Sequence, residues 1–180
     1  LAASRTALAP AAGALLASVV QASLYNYEAA IAEAEAAAKA DTLSRLPLIQ
    51  LAALLARQTP ADGIAADNAP ASSEAALTRS NKALQTLDKA LALSPGDAYI
   101  YYNRGCLYMQ RGDIKAAAED FTRAVEKDPR LAEAYFNRGI ARLRSGDTSA
   151  AMRDFSKAGE LGIYQAYNLL KQCMQTIDKP

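Results

Sequence analysis

Residues 98–131 read AYIYYNRGCLYMQRGDIKAAAEDFTRAVEKDPRL, and residues 132–165 read AEAYFNRGIARLRSGDTSAAMRDFSKAGELGIYQ. Laid over one another at a shift of 34 residues, they agree at thirteen positions: Ala98, Tyr101, Asn103, Arg104, Gly105, Gly112, Asp113, Ala116, Ala117, Asp120, Phe121, Ala124 and Glu126 with their partners. A fixed period of this length marks stacked helical hairpins, in which no unit buries its own apolar face and each leans on the next. Gly105, Ala117 and Ala124, repeated as Gly139, Ala151 and Ala158, put small residues where two antiparallel helices cross closely. Tyr101 and Phe121, repeated as Tyr135 and Phe155, fill the space between hairpins, each with roughly 150 to 250 Å² to bury.

The punctuation agrees with this. Gly112-Asp113 and Gly146-Asp147 form the inner turns, where glycine takes the left-handed conformation that ends one helix and aspartate caps the next. Asp128-Pro129 stops the outgoing helix, because the residue before proline avoids helical backbone. Pro95, Ala90 and Ala83 lie 34 residues before Pro129, Ala124 and Ala117, so 74–93 reads as the second helix of an earlier hairpin, capped by Ser72 or Ser73. Its first helix is not adjacent, since 58–73 is rich in Pro, Ala, Asp and Gly and reads as a loop. The segment 43–57, with Leu46, Leu48, Ile49, Leu51, Leu54 and Leu55 and with Pro47 near its first turn, supplies the absent partner.

Leu16, Val20, Leu24, Tyr27, Ile31 and Ala34 recur at helical spacing and predict one helix over 11–40 with that stripe buried and Pro10 in its first turn. This reading is preferred over a secretory signal, which Arg5, the apolar run to Val20 and the small residues Ala22 and Ser23 imitate only loosely. Beyond the second full unit, Gly162 and Ile163 replace the Asp-Pro stop, and 164–177 places Ala166, Leu170, Cys173 and Ile177 on one face, the pattern of a helix that closes an array. The expected organisation is N-terminal helices over 1–57 packing on the array, a loop over 58–73, a half unit over 74–97, full units over 98–131 and 132–163, and a capping helix over 164–180.

Composition narrows the function. Of 180 residues, about half are apolar, and the prevalence of alanine favours helix. Twenty basic and nineteen acidic side chains leave a net charge of +1, so no global field draws the chain to nucleic acid. No apolar run reaches the roughly 18 residues a membrane-spanning helix needs. With no histidine, no phosphate-cradling glycine loop and two cysteines far apart, Cys106 and Cys173, the sequence offers no metal cluster, cofactor site or catalytic constellation, and a non-catalytic role is expected. Asp120 and Asp154 recur at one repeat position and read as structural. Cys106 reads as a packing residue unless the groove exposes its thiol.

At their spacing, Tyr101, Gly105, Gly112, Ala117, Phe121, Ala124 and Pro129, then Tyr135, Gly139, Gly146, Ala151, Phe155 and Ala158, resemble the tetratricopeptide repeat. The resemblance implies an all-α fold, antiparallel hairpins stacked as a short right-handed superhelix with extra N-terminal helices, that binds another protein or peptide. In that family the first helix of each hairpin lines a concave groove. Carried over, the groove positions are Tyr99, Tyr102, Asn103, Cys106, Met109 and Gln110, then Glu133, Phe136, Asn137, Ile140, Leu143 and Arg144. Two equivalent amides, Asn103 and Asn137, suit an extended ligand, because an amide both donates to and accepts from a peptide backbone. One branch of the family grips a C-terminal carboxylate with Lys and Asn at two of these positions; Tyr102 with Cys106, and Phe136 with Ile140, stand there instead, so that clamp is absent. Arg104 and Arg138 read as solvated pairing residues rather than contacts for an acidic ligand. The ending, Lys157 to Ile163 followed by Ala166 to Lys171, is similar to that of certain bacterial repeat proteins in which it closes a longer, often exported polypeptide. Together with the start at Leu1 it reads as a piece of a longer chain. The alternative to peptide binding is a self-associating spacer, with homo-oligomers or a groove filled from within.

Overall fold

The computed structural model describes residues 2–57 and 74–177, with side chains over 10–57 and 74–175. The expected loop 58–73, and with it the Ser72 or Ser73 cap, lies outside the described residues. The chain divides into two compact units, Leu1–Pro95 and Gly96–Pro180. All regular structure among the described residues is helical.

The first unit holds α1 (Ala2–Ser23), α2 (Tyr27–Ala40), α3 (Leu46–Ala56) and α4 (Glu74–Leu93), each packed on the one before it. Small residues let α2 approach its neighbours closely: Ala30, Ala34 and Ala37, one turn apart, are fully buried. On α4 the buried set Ala83, Thr86, Leu87 and Ala90 repeats at helical spacing, and α3 meets it with Leu51, Leu54 and Leu55.

The single helix expected over 11–40 is not formed. The chain reverses at Leu24–Asn26, where Tyr25 takes a left-handed conformation, φ 60°, and the Asn26 amide nitrogen donates to the Gln21 carbonyl at 3.0 Å. The expected buried stripe fails with it, since Leu16 and Leu24 are 65% and 67% exposed. Pro10 lies inside α1 rather than in its first turn. The reversal turns one stripe into a hairpin whose buried residues are small, Ala11 and Ser18 on α1 and Ala30, Ala34 and Ala37 on α2, while Leu16, Val19 and Val20 face water.

The second unit holds α5 (Ala98–Arg111), α6 (Ile114–Lys127), α7 (Ala132–Arg144), α8 (Thr148–Glu160) and α9 (Gln165–Ile177). Helices α5 and α6 pair as one hairpin, α7 and α8 as the next; α6 packs on α7, and α9 on α8. Gly112 and Gly146 close the first helices at φ 81° and 84°, a region that costs any residue with a Cβ. The two aspartates that follow differ. Asp147 caps α8 by accepting from the Ala150 amide at 3.0 Å, whereas Asp113 makes no cap bond and sits 3.4 Å from Arg111 Nε. Asp97 caps α5 through the Tyr99 amide at 2.9 Å.

Where the hairpin helices cross, a Cβ built on Gly105 would meet Phe121 Cε1 at 2.7 Å, and one on Gly139 would meet Phe155 Cε1 at 2.6 Å. Each phenylalanine is fully buried, so its ring has nowhere to retreat. Gly105→Ala is therefore expected to destabilise the unit by about 1 to 2 kcal/mol, because overpacking costs about 1 to 3 and helix propensity returns at most about 1. Urea midpoints check this, and adding Phe121→Leu to Gly105→Ala is expected to recover part of the loss.

Candidate functional site

Helices α5 and α7, the first helices of the two hairpins, lie in contact and carry all twelve groove candidates. Ile100, Tyr101 and Leu107 on α5, and Ala134 and Ala141 on α7, are buried in the core. The candidates occupy the remainder. Tyr102, Asn103, Cys106, Met109, Phe136, Asn137 and Ile140 are half-buried, while Tyr99, Gln110, Glu133, Leu143 and Arg144 are exposed.

The half-buried residues rest on the core. Tyr102 tilts against Phe121 and Phe136 against Phe155, each with ring centroids 6.0 Å apart. Cys106 and Met109 pack with Tyr102 on the Ala117–Phe121–Ala141 cluster, and Phe136 and Ile140 pack on the cluster around Phe155. The result is a row of partly exposed apolar and aromatic side chains, supported from beneath by fully buried phenylalanines.

One cluster bridges the hairpins. The Asn137 side-chain nitrogen donates to the Tyr102 hydroxyl at 3.2 Å and approaches Cys106 Sγ at 3.6 Å. The two repeated amides are thus not equivalent: Asn137 is engaged with α5, whereas Asn103 makes no side-chain hydrogen bond among the described residues. Burial pushes both the Tyr102 hydroxyl and the Cys106 thiol up from their ordinary values, and for Tyr102 the neighbouring Cys106 adds to the rise. A thiol held protonated is a poor nucleophile, so Cys106 is a packing and hydrogen-bonding residue.

The folded chain keeps both protons to higher pH than the unfolded chain does, so the stabilisation is intact below the ordinary values of 9.0 and 10.0 and is lost progressively as pH rises above them toward the raised folded values. Unfolding free energy is expected to fall as pH rises above about 9, and a Tyr102→Phe, Cys106→Ala variant is expected to show a shallower fall in urea titrations at stepped pH.

Two further pairs escaped the sequence reading. Arg104 grips Asp120 through Nε and Nη2, at 2.7 and 2.8 Å, and Arg138 grips Asp154 in the same way at 3.0 and 2.8 Å. Arg142 adds a third bond to Asp154 at 2.8 Å. Arg104 and Arg138 are therefore neither solvated nor turned to a ligand: each joins the two helices of its hairpin, stacked over Tyr101 or Tyr135. The signal was present, since arginine and aspartate both recur at the 34-residue shift, 16 residues apart. Among the described residues no three His, Cys, Asp or Glu side chains gather as a metal site, and no helix is long and apolar enough to cross a membrane.

Comparison with known proteins agrees with this architecture. The family model described as tetratricopeptide repeat matches residues 74–134. The crystal structure of MamA protein superposes with a TM-score of 0.71 at 18% identity, covering 92% of this chain and 81% of that one. The Arabidopsis OM64 TPR domain gives 0.52 at 27% identity over 55% of this chain and 84% of its own. The second TPR domain of the human RPAP3 protein, determined in complex with the HSP70 peptide SGPTIEEVD, gives 0.50 at 25% identity over 54% and 83%. No curated protein matches the chain by sequence. The hairpin crossings at Gly105 and Gly139, the left-handed turns, the family match and the shared fold lead to one conclusion: residues 74–134 match the tetratricopeptide-repeat family, and the hairpins of the chain have its fold.

Proposed function

We propose that the Gly96–Pro180 unit is a non-catalytic scaffold module that binds an extended peptide segment of a partner protein along α5 and α7. The observation that carries this reading is the supported row itself. Tyr102, Met109, Phe136 and Ile140 keep apolar surface half open, and covering it would release water from a face already held rigid. Tyr99, 56% exposed, and the unengaged Asn103 amide stand beside it, an aromatic anchor and a backbone-reading group. Gln110, Glu133, Leu143 and Arg144 form the exposed margin, where contacts set register more than affinity. The human RPAP3 domain, which shares the fold, carries a peptide. Here the clamp positions hold Tyr102, Cys106, Phe136 and Ile140, so the ligand is expected to be an internal segment with apolar side chains rather than a C-terminal carboxylate. Asn137 contributes by orienting the Tyr102 hydroxyl.

A random-peptide display selection on the immobilised full chain tests this. Enrichment of a shared apolar motif, lost on a Tyr99→Ala, Asn103→Ala variant with unchanged helix content by circular dichroism, is the expected outcome. Enrichment that survives the variant, or none at all, overturns it in favour of a self-associating spacer.

A further inference from the structure

In the Leu1–Pro95 unit, α2, α3 and α4 enclose a groove of 670 Å³, within the roughly 300 to 1,000 Å³ that ligand sites occupy. Its floor is apolar, made by Leu48 and Leu51 of α3 and Leu93 of α4. Lys39 of α2 and Lys82 and Lys89 of α4 line it, and Glu35 is the one carboxylate in the lining. Lys82 is bonded to Glu35. That leaves Lys39 and Lys89 without an ion-pair partner among the described residues, on two helices that face each other across an apolar floor.

We propose that this groove is a second binding site, distinct from the α5–α7 row, and that it takes an acidic peptide segment of a partner protein with an apolar side chain between its carboxylates. Charge complementarity selects the occupant: three ammonium groups against one carboxylate leave an excess positive charge over the floor. Lysine suits carboxylates met at variable angles, being a flexible point charge rather than a rigid fork. Lys82, which keeps about half of its side chain exposed beside Glu35, and Lys89 lie seven residues apart on one face of α4, roughly 10 Å along its axis at about 1.5 Å per residue. An extended peptide covers that distance in about three residues, so the ligand is expected to place acidic groups about three positions apart with a leucine or aromatic side chain between them. Nucleic acid is a poorer fit, because phosphate tracking uses a continuous basic stripe and gains nothing from the floor of Leu48, Leu51 and Leu93.

The test uses the full chain and three fluorescein-labelled, C-amidated hexapeptides: Glu-Glu-Leu-Phe-Glu-Glu, its lysine counterpart Lys-Lys-Leu-Phe-Lys-Lys, and Glu-Glu-Ser-Ser-Glu-Glu. Fluorescence polarisation is expected to show binding of the first alone, weakened by raised salt. A Lys39→Gln, Lys89→Gln variant is expected to weaken it about tenfold, as two lost surface pairs would, while Tyr99→Ala, Asn103→Ala leaves it unchanged. Because both lysines are exposed, the variant is expected to keep its helix content. As a second arm, Lys39→Glu, Lys89→Glu is expected to transfer preference to the lysine peptide. Equal binding of acidic and basic probes, or binding indifferent to both variants, overturns the proposal. So does retention on phosphatidylserine vesicles in place of the peptide, or a groove closed by dimerisation in analytical ultracentrifugation.

Discussion

Phe155→Ala is expected to lower the stability of the Gly96–Pro180 unit by about 3 to 5 kcal/mol, the largest loss any single truncation in it should produce. The ring is fully buried, lies against the Gly139 backbone where no Cβ fits, and packs with Ala151, Ala158, Ala166 and Cys173 while Phe136 rests on it. Most of these neighbours are alanines or a glycine on rigid helices, with no side-chain length to swing into the space left behind, so the cavity stays open and its full cost is felt. Chemical denaturation followed by circular dichroism reads the loss. Since α7, α8 and α9 all border the site, the substitution should also weaken α9 docking, seen as faster amide exchange along α9 than along α5. Loss below about 1 kcal/mol would mean that the hairpins collapse onto one another more freely than close packing allows.

Asp154→Ala is the second large effect, expected to cost about 3 kcal/mol or more. Its carboxylate is nearly buried, 4% exposed, and holds Arg138 by two bonds and Arg142 by a third. Removing it leaves the Arg138 guanidinium, itself only 11% exposed, without its counter-charge, and the penalty of an uncompensated buried charge exceeds the worth of the pair. Asp120, which pairs with Arg104 and has no counterpart of Arg142, should show a smaller loss in the matching Asp120→Ala variant. The double substitution Arg104→Met, Asp120→Leu should recover most of that smaller loss, since exchanging both members of a buried pair for apolar residues of similar size is often close to neutral. Recovery would identify the pair as structural.

These same residues show what the sequence made legible. The period, the glycine crossings and the left-handed turns at Gly112 and Gly146 could be read directly, because each needs a residue type that little else can replace. The reversal at Tyr25 could not, because a tyrosine carries no turn signal and the stripe from Leu16 to Ala34 runs through it without interruption. Periodicity shows which side chains share a face; it does not show whether anything covers that face, and for Leu16 and Leu24 nothing among the described residues does. In the candidate site the repeat made Asn103 and Asn137 look alike, yet only Asn137 reaches Tyr102 and Cys106, a contact between residues 35 and 31 positions apart that no local pattern encodes. The Arg–Asp pairs were visible as recurring residues, and only their geometry shows that they bind each other.

The central proposal, that the α5–α7 row receives an extended peptide, is tested most directly by amide chemical-shift mapping of the full chain titrated with a peptide recovered from the display selection. Saturable shifts confined to 99–110 and 133–144, with α6 and α8 unmoved, are the expected result. Shifts concentrated on α6 and α8, or in the Leu1–Pro95 unit alone, would contradict it.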